Sequence, residues 1–171
     1  MSVAIRAEVI ADYSCVDKIL RQAFDGDDEA RLVKLLREQA CPNISLVAIE
    51  TDDNSIAGHI FFSPTCFDCD PEFKVMGLAP MAVRPDLQCS GIGSQLVHGG
   101  LEQCQALGYA AVIVLGHKDY YPRFGFRPAS TFGICCEYPV EDEHFMALEL
   151  QSGSLAAVSG LVRYHPAFAT L

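Results

Sequence analysis

The order of apolar periodicities predicts a mixed α/β domain, and three observations carry that prediction. Two stretches repeat their apolar residues at the 3-4 spacing of amphipathic helices, several short segments read as strands, and one long helix stands between two of those strands. Val3 to Ile10 reads as the opening strand. Asp12 is placed to cap a helix carrying Val16, Ile19, Leu20, Ala23 and Phe24 on one face, with Gly26 as its stop. A second helix is expected from Asp28 to Gln39, with acids in its first turn and Leu32, Leu35 and Leu36 facing inward, until Pro42 closes it.

Ile44 to Glu50 and Ser55 to Phe62, separated by the turn Asp52-Asp53-Asn54, read as an antiparallel hairpin. The next strand, Phe73 to Val83, runs into Arg84-Pro85-Asp86. A helix from Gly91 to Leu107 follows, closed by Gly108. Ala110 to Leu115 is apolar on both faces and therefore predicted to be central in the sheet. Residues 119 to 124 allow one or two helical turns. Strands near Thr131 to Tyr138 and Phe145 to Leu150 precede a weakly patterned tail.

Composition bounds the function. The 171 residues suit one compact domain, and no repeat or linker divides them, so a single domain over 1–171 is expected. Twelve Lys+Arg against 22 Asp+Glu give a net charge of -10, which repels phosphate backbones and anionic lipid and argues against a nucleic-acid partner. No apolar run approaches the roughly 20 residues that span a bilayer, and the N-terminus shows no basic-then-apolar signal, so no membrane partner and a cytoplasmic location are expected. Of eight cysteines, Cys66 and Cys69 form one C-x-x-C pair and Cys135 and Cys136 are adjacent. Cys15, Cys41, Cys89 and Cys104 are scattered. A zinc site wants two spaced pairs or matching histidines, so no metal is expected and the thiols are read as reduced.

The segment Gln88-Cys89-Ser90-Gly91-Ile92-Gly93 carries the chemistry. Glycines at 91 and 93 permit a tight turn and close approach of a ligand oxygen, and the helix that follows points free N–H groups and its positive dipole end at that space. An acidic protein binds a polyanion only through such local potential, to which Arg84, Lys118, Arg123 and Arg127 can add. The Walker pattern is absent. A dinucleotide fingerprint fails at Leu96, where it needs Gly, and at Val112 to Val114, where it needs an acid.

With Met81-Ala82-Val83 before this segment and Tyr121-Pro-Arg-Phe-Gly125-Phe126 after the next strand, the sequence resembles the GNAT superfamily of N-acetyltransferases. Ser45-Leu-Val-Ala, Gly58-His59-Ile60, Leu78 to Val83, Leu115-Gly116-His117, Tyr120 to Phe126 and Phe145 to Leu150 are similar to its YhbS-type bacterial subgroup.

The resemblance implies the GNAT fold, a twisted, mostly antiparallel mixed sheet splayed between two strands and flanked by helices. It implies acetyl-coenzyme A as cosubstrate, wedged between the strands ending near Val83 and Leu115. Met81, Ala82 and Val83 would pair with its pantetheine arm. The amides of Cys89, Ser90, Gly91, Ile92, Gly93 and Ser94, introduced by Gln88, would hold its pyrophosphate. Tyr121 stands where the family has its general acid. Many members carry Asn shortly before that tyrosine, where this chain has Val114.

The implied reaction is direct attack of a primary amine, on a small molecule or a protein, upon the thioester. Asp86, Glu29, Glu72 and His59 are possible bases. Other residues have plainer readings: packing for Tyr120, a structural histidine for His59, a surface position for His98, and a solvated face for Glu29 and Arg37. Acidic clusters at Asp25 to Glu29 and Glu137 to Glu143 fall in loops that border the acceptor pocket in this fold. The rival reading is a noncatalytic acyl-coenzyme A sensor, and a homodimer exchanging its C-terminal strand is compatible with the sequence.

Overall fold

The computed structural model describes residues 2–171. Its elements run β1 (Val3–Ala7), α1 (Tyr13–Phe24), α2 (Asp28–Gln39), β2 (Ile44–Glu50), β3 (Ile56–Phe67), β4 (Val75–Val83), α3 (Ile92–Ala106), β5 (Ala111–Leu115), β6 (Arg127–Pro128), β7 (Ile134–Cys136), β8 (Phe145–Glu149) and β9 (Gly160–Arg163), joined by turns and short 3-10 segments. The hydrogen-bonded strand order is β1-β2-β3-β4-β5-β8-β6, with β9 pairing β3 and β7 pairing β9. Cα proximity groups the chain into two compact units, one of residues up to Phe62 with Pro80–Gly100 and Pro166–Leu171, the other of Ser63–Ala79 with Leu101–His165. Strands β3 and β4 and helix α3 contribute to both.

In the first unit β1, β2 and the first half of β3 form an antiparallel ladder in which Ile5 faces Ala48 and Val47 faces His59. One face is capped by α1 and α2: Val16, Ile19, Leu20, Leu32, Val33 and Leu36 pack with Val47, Phe61 and Ala82. Each such fully buried side chain is worth about 1.5–3 kcal/mol, so this cluster anchors the unit. The other face takes α3, which comes close because the strand and helix meet at bare backbone. A Cβ on Gly58 would lie 3.0 Å from Ala82 O and 3.1 Å from Leu96 Cδ1, and one on Gly100 would lie 2.1 Å from the Phe62 ring.

In the second unit β5 is central, as its two apolar faces predict. It pairs in parallel with β4 from Val75↔Ala111 to Leu78↔Val114, and antiparallel with β8 from Ala111↔Glu149 to Leu115↔Phe145. Parallel neighbours need a crossover, and α3 supplies it. Its end is a Schellman turn: Tyr109 N–H donates to Cys104 O and Gly108 N–H to Gln105 O, both at 3.0 Å, with Gly108 at φ +80°.

Local chemistry moves several expected boundaries. The opening strand stops at Ala7 because the chain turns into a 3-10 segment at Ile10–Asp12. Asp12 does not cap α1 with its side chain; its carboxylate turns back to accept from Val9 N–H at 2.8 Å and from Arg6 at 2.6 and 2.9 Å. The α1 stop is Asp25 in the left-handed region at φ 54°, one residue before Gly26. The strand expected over 131–138 shrinks to β7, because Ala129–Phe132 wind into a 3-10 turn, and the tail contributes β9.

Candidate active site

The loop between β4 and α3 is made of backbone. After the 3-10 segment Pro85–Leu87, Gln88 is extended, Cys89 takes φ 60° and Gly91 φ 88°. Cys89 and Gly91 thus take the left-handed region on either side of Ser90 as the chain enters the helix. The first α3 ladder bond is Gln95 N–H to Gly91 O at 3.1 Å, so the amides of Ile92, Gly93 and Ser94 precede the ladder and carry the positive end of the helix dipole. Nothing in the protein lies within 4 Å of where a Gly91 Cβ would stand, and residues 88–91 are exposed.

Two side chains brace this loop. Gln88 Nε2 donates to Val83 O at 3.2 Å, tying the loop to the end of β4, and Ser90 Oγ donates to Leu87 O. Arg84 is engaged by Asp86 at 2.7 Å and Glu50 at 3.0 Å, so its charge is largely spent within the protein. Of the strand ahead of the loop, Ala82 is buried and Met81 and Val83 are half-buried.

Tyr121 sits in a setting of the opposite kind. It is 7% exposed and meets Tyr120 edge-on at 5.1 Å, Phe126 at 5.6 Å and Phe124 at 6.4 Å between ring centroids. Burial, with a smaller contribution from Tyr120, pushes its phenol well above the usual tyrosine range. The ring lies on Gly116, where a Cβ would fall 2.3 Å from Tyr121 Cε2. Tyr120 packs as expected, against Phe124 at 5.3 Å and under the Arg123 guanidinium at 4.5 Å.

Comparison with known proteins decides what these parts belong to. Residues 13–126 match the model of the acetyltransferase (GNAT) family. The chain belongs to the GNAT family of N-acetyltransferases. It is 37% identical over 164 residues to the uncharacterized N-acetyltransferase YhbS of Escherichia coli K12, covering 96% of this chain and 97% of that protein. It is 35% identical to E. coli YjhQ, another uncharacterized N-acetyltransferase, covering 83% of this chain and 80% of that one. The crystal structure of E. coli YhbS in complex with CoA superposes with a TM-score of 0.91 at 36% identity over 98% of this chain and 92% of that one. A GNAT acetyltransferase from Brucella melitensis in complex with acetyl-CoA gives 0.80 at 31% identity over 98% of both chains.

The other residues weighed for GNAT chemistry are mostly tied up. His59 is fully buried, with Nε2 2.8 Å from Ser45 Oγ. Ser45 has one proton, which it donates to Glu8 at 2.6 Å, so His59 Nε2 is the donor in their bond. Burial first, and then the Arg37 charge, push the His59 pKa down to about 3, so it is neutral near pH 7. Arg37 corrects the expectation of a solvated face: its side chain is 12% exposed, pairs with Glu8 and lies 3.9 Å from the Tyr13 ring centre.

Asp86 is held below the usual carboxylate range by its hydrogen bonds from Arg84. In the acidic clusters Asp27 pairs with Arg21, Asp28 with Arg31, and Glu143 with Lys118 at 2.9 Å, while Glu137 accepts from Tyr164 N–H at 2.7 Å. Among the described residues the one group whose metal-capable atoms lie within 4.8 Å of one another is Glu141, Glu143 and His144, and no cysteine joins it. No described helix is long and apolar enough to cross a membrane.

Sequence reasoning passed over Gly116 as the surface under Tyr121 and overlooked His144 beside it. The signal was present in the predicted strands: pairing 110–115 antiparallel with 145–150 brings 116 opposite 144, one step beyond Leu115↔Phe145.

Proposed function

We propose that this N-acetyltransferase moves the acetyl group of acetyl-CoA to a primary amine by direct attack, with Tyr121 as the proton donor to the leaving sulfur. The observation that carries the cofactor assignment is the loop itself. Gly91 at φ 88° with open space around it, followed by three amides ahead of the α3 ladder, suits a pyrophosphate. The relatives bound to CoA and acetyl-CoA support the same reading.

In this scheme Cys89 to Ser94 hold the pyrophosphate through backbone N–H groups, and Gln88 keeps the loop braced on Val83. Met81 to Val83 offer backbone groups to the pantetheine arm, and one N–H there stabilises charge developing on the carbonyl oxygen. The cofactor supplies an acetyl group activated as a thioester and a thiol as leaving group. An amine with a pKa near ~10.4 must lose a proton before it attacks. Tyr121 Oη–H donates a hydrogen bond to the departing sulfur, which leaves as thiolate while the nitrogen releases a proton to solvent as the amide forms. A thiol near ~8.5 is already a stronger acid than a phenol near ~10, and burial widens that gap, so Tyr121 acts as a hydrogen-bond donor that strengthens as charge builds on sulfur. The acceptor is a small-molecule or protein amine.

Thiol release from acetyl-CoA across an amine library tests the activity. Acceptor-dependent release with formation of the N-acetyl product is expected. Tight acetyl-CoA binding without turnover on any amine would overturn the catalytic reading.

A further inference from the structure

Leu115 faces Phe145 at the end of the β5–β8 ladder, and the next pair along that register is Gly116 and His144. The backbone keeps the pairing, with Gly116 N–H donating to His144 O at 2.9 Å. The imidazole closes it from the other side: His144 Nδ1 is 3.0 Å from Gly116 O. A carbonyl oxygen only accepts, so Nδ1 carries a proton and donates. One residue therefore holds both backbone polar groups of Gly116.

Gly116 is also the floor of the Tyr121 ring, since any Cβ there would fall 2.3 Å from Cε2 and 2.9 Å from Cδ2. The backbone between them is short and folded on itself, with Tyr120 and Tyr121 N–H groups donating to His117 O at 3.1 and 3.4 Å. A shift of Gly116 is therefore passed to the ring both through the contact and along the chain. Lys118 Nζ, 2.9 Å from Glu143, adds a tie between the same two segments, but its partners are half exposed and such a pair is weak. Glu141 and Glu143 lie 3.6 and 3.9 Å from His144 Nε2, on the side away from the Gly116 bond.

We infer that His144 is a positioning residue for Tyr121: by holding both backbone groups of Gly116 it fixes the floor on which the phenol ring rests and so the direction of its hydroxyl. This rests on the reading of Tyr121 as proton donor. Proton donation in a transition state is sensitive to placement, and a displacement of about 1 Å costs on the order of 100-fold in rate.

The test compares wild type, Tyr121→Phe, His144→Ala, His144→Asn and the double variant Tyr121→Phe/His144→Ala, with kcat from thiol release and acetyl-CoA Kd from calorimetry. His144→Ala should lower kcat about 10- to 100-fold with Kd nearly unchanged. His144→Asn, whose Nδ2 can donate along the direction of the imidazole Nδ1, should recover most of that loss. In the Tyr121→Phe background His144→Ala should cost less than about threefold more, because the residue acts through a hydroxyl that is already gone. If the Ala variant does not fold, His144→Phe keeps the ring volume without the donor and must show the same kcat loss.

Normal turnover in His144→Ala, with Tyr121→Phe impaired, overturns the positioning role and leaves the proton-donor reading intact. Full additivity in the double variant also overturns it, since His144 would then act elsewhere. Normal turnover in Tyr121→Phe overturns the proton-donor reading itself and the inference with it.

Discussion

In the proposed scheme the loop from Gln88 to Ser94 works through peptide N–H groups, with the Gln88 and Ser90 side chains as braces and residues 88–91 exposed. The proposed group on the other side is one phenol, Tyr121, enclosed by Tyr120, Phe124 and Phe126 and seated on Gly116. The two regions answer different physical demands. A pyrophosphate must be met by several donors at once and must enter and leave with the cofactor, which favours exposed backbone whose shape is set by φ angles. A proton donor needs a single atom in one place, which packing provides at the expense of accessibility. The first region should therefore govern affinity and the second turnover, and substitutions in each should separate the two quantities.

The largest separation is expected at Tyr121. Tyr121→Phe keeps the ring and its packing and removes only the hydroxyl, so kcat should fall by roughly 10²- to 10⁴-fold while the acetyl-CoA Kd stays within about twofold. Tyr120→Phe is the internal control and should turn over almost normally. A collapse of kcat in that control instead would move the proton donor to the neighbouring ring. Because burial raises the Tyr121 pKa, the phenol stays protonated through the whole alkaline range in which the acceptor amine loses its proton. The wild-type kcat/KM should thus rise with pH up to about 10 without a falling limb from Tyr121. A falling limb near pH 8 that disappears in Tyr121→Phe would contradict the raised value.

At Gly91 the expected effect is smaller and of the other kind. A Cβ at this position meets no protein atom within 4 Å, so the damage comes from φ 88°, where an L-residue costs about 1–2 kcal/mol and the loop relaxes away from its turn. Losing about two charge-assisted hydrogen bonds at ~1.5 kcal/mol each should weaken acetyl-CoA binding on the order of 100-fold. The kcat reached at saturating cofactor should stay within a fewfold of wild type. Calorimetry showing normal affinity in Gly91→Val would remove the loop from the cofactor site.

How much of this was legible beforehand follows from the same contrast. A turn into a helix start leaves its mark in local sequence, because a left-handed φ favours glycine, as at Gly91, and the helix start follows directly. Gly93, expected in the turn, lies inside α3, and Cys89 takes the other left-handed position, which the sequence did not announce. The strand Ala111–Leu115 and helix Asp28–Gln39 were equally readable, since their periodicity is local. The Tyr121 pocket depends on the register between two strands distant in the chain, so His144 can be placed opposite Gly116 only once 110–115 is paired antiparallel with 145–150. Asp12 and Arg37 were misjudged for a related reason: each carboxylate or guanidinium found a partner elsewhere, Arg6 for the one and Glu8 for the other, rather than the local role that spacing suggested.

The buried cluster of Glu8, Arg37, Ser45 and His59 sharpens the comparison, because it is packed side-chain chemistry like the Tyr121 pocket and yet is expected to serve stability alone. His59 in the folded protein has its pKa pushed from 6.5 down to about 3, chiefly by burial. Between those values the unfolded chain binds a proton that the folded one refuses, so stability conferred by the neutral ring is full above pH 6.5 and is lost as pH falls toward 3. At pH 5 the loss from this one group should be about 2 kcal/mol relative to pH 8. His59→Gln keeps a donor that can reach Ser45 but has no proton to gain, so its unfolding free energy should fall less between pH 8 and pH 5 by about that amount. Urea denaturation at the two pH values measures it, and kcat at pH 8 should stay within about twofold of wild type because the proposed reaction makes no use of the ring. An unchanged pH slope in His59→Gln would put the titrating group elsewhere. A large fall in kcat with the fold intact would make His59 part of the chemistry and end the division between a packed site for turnover and a packed cluster for stability.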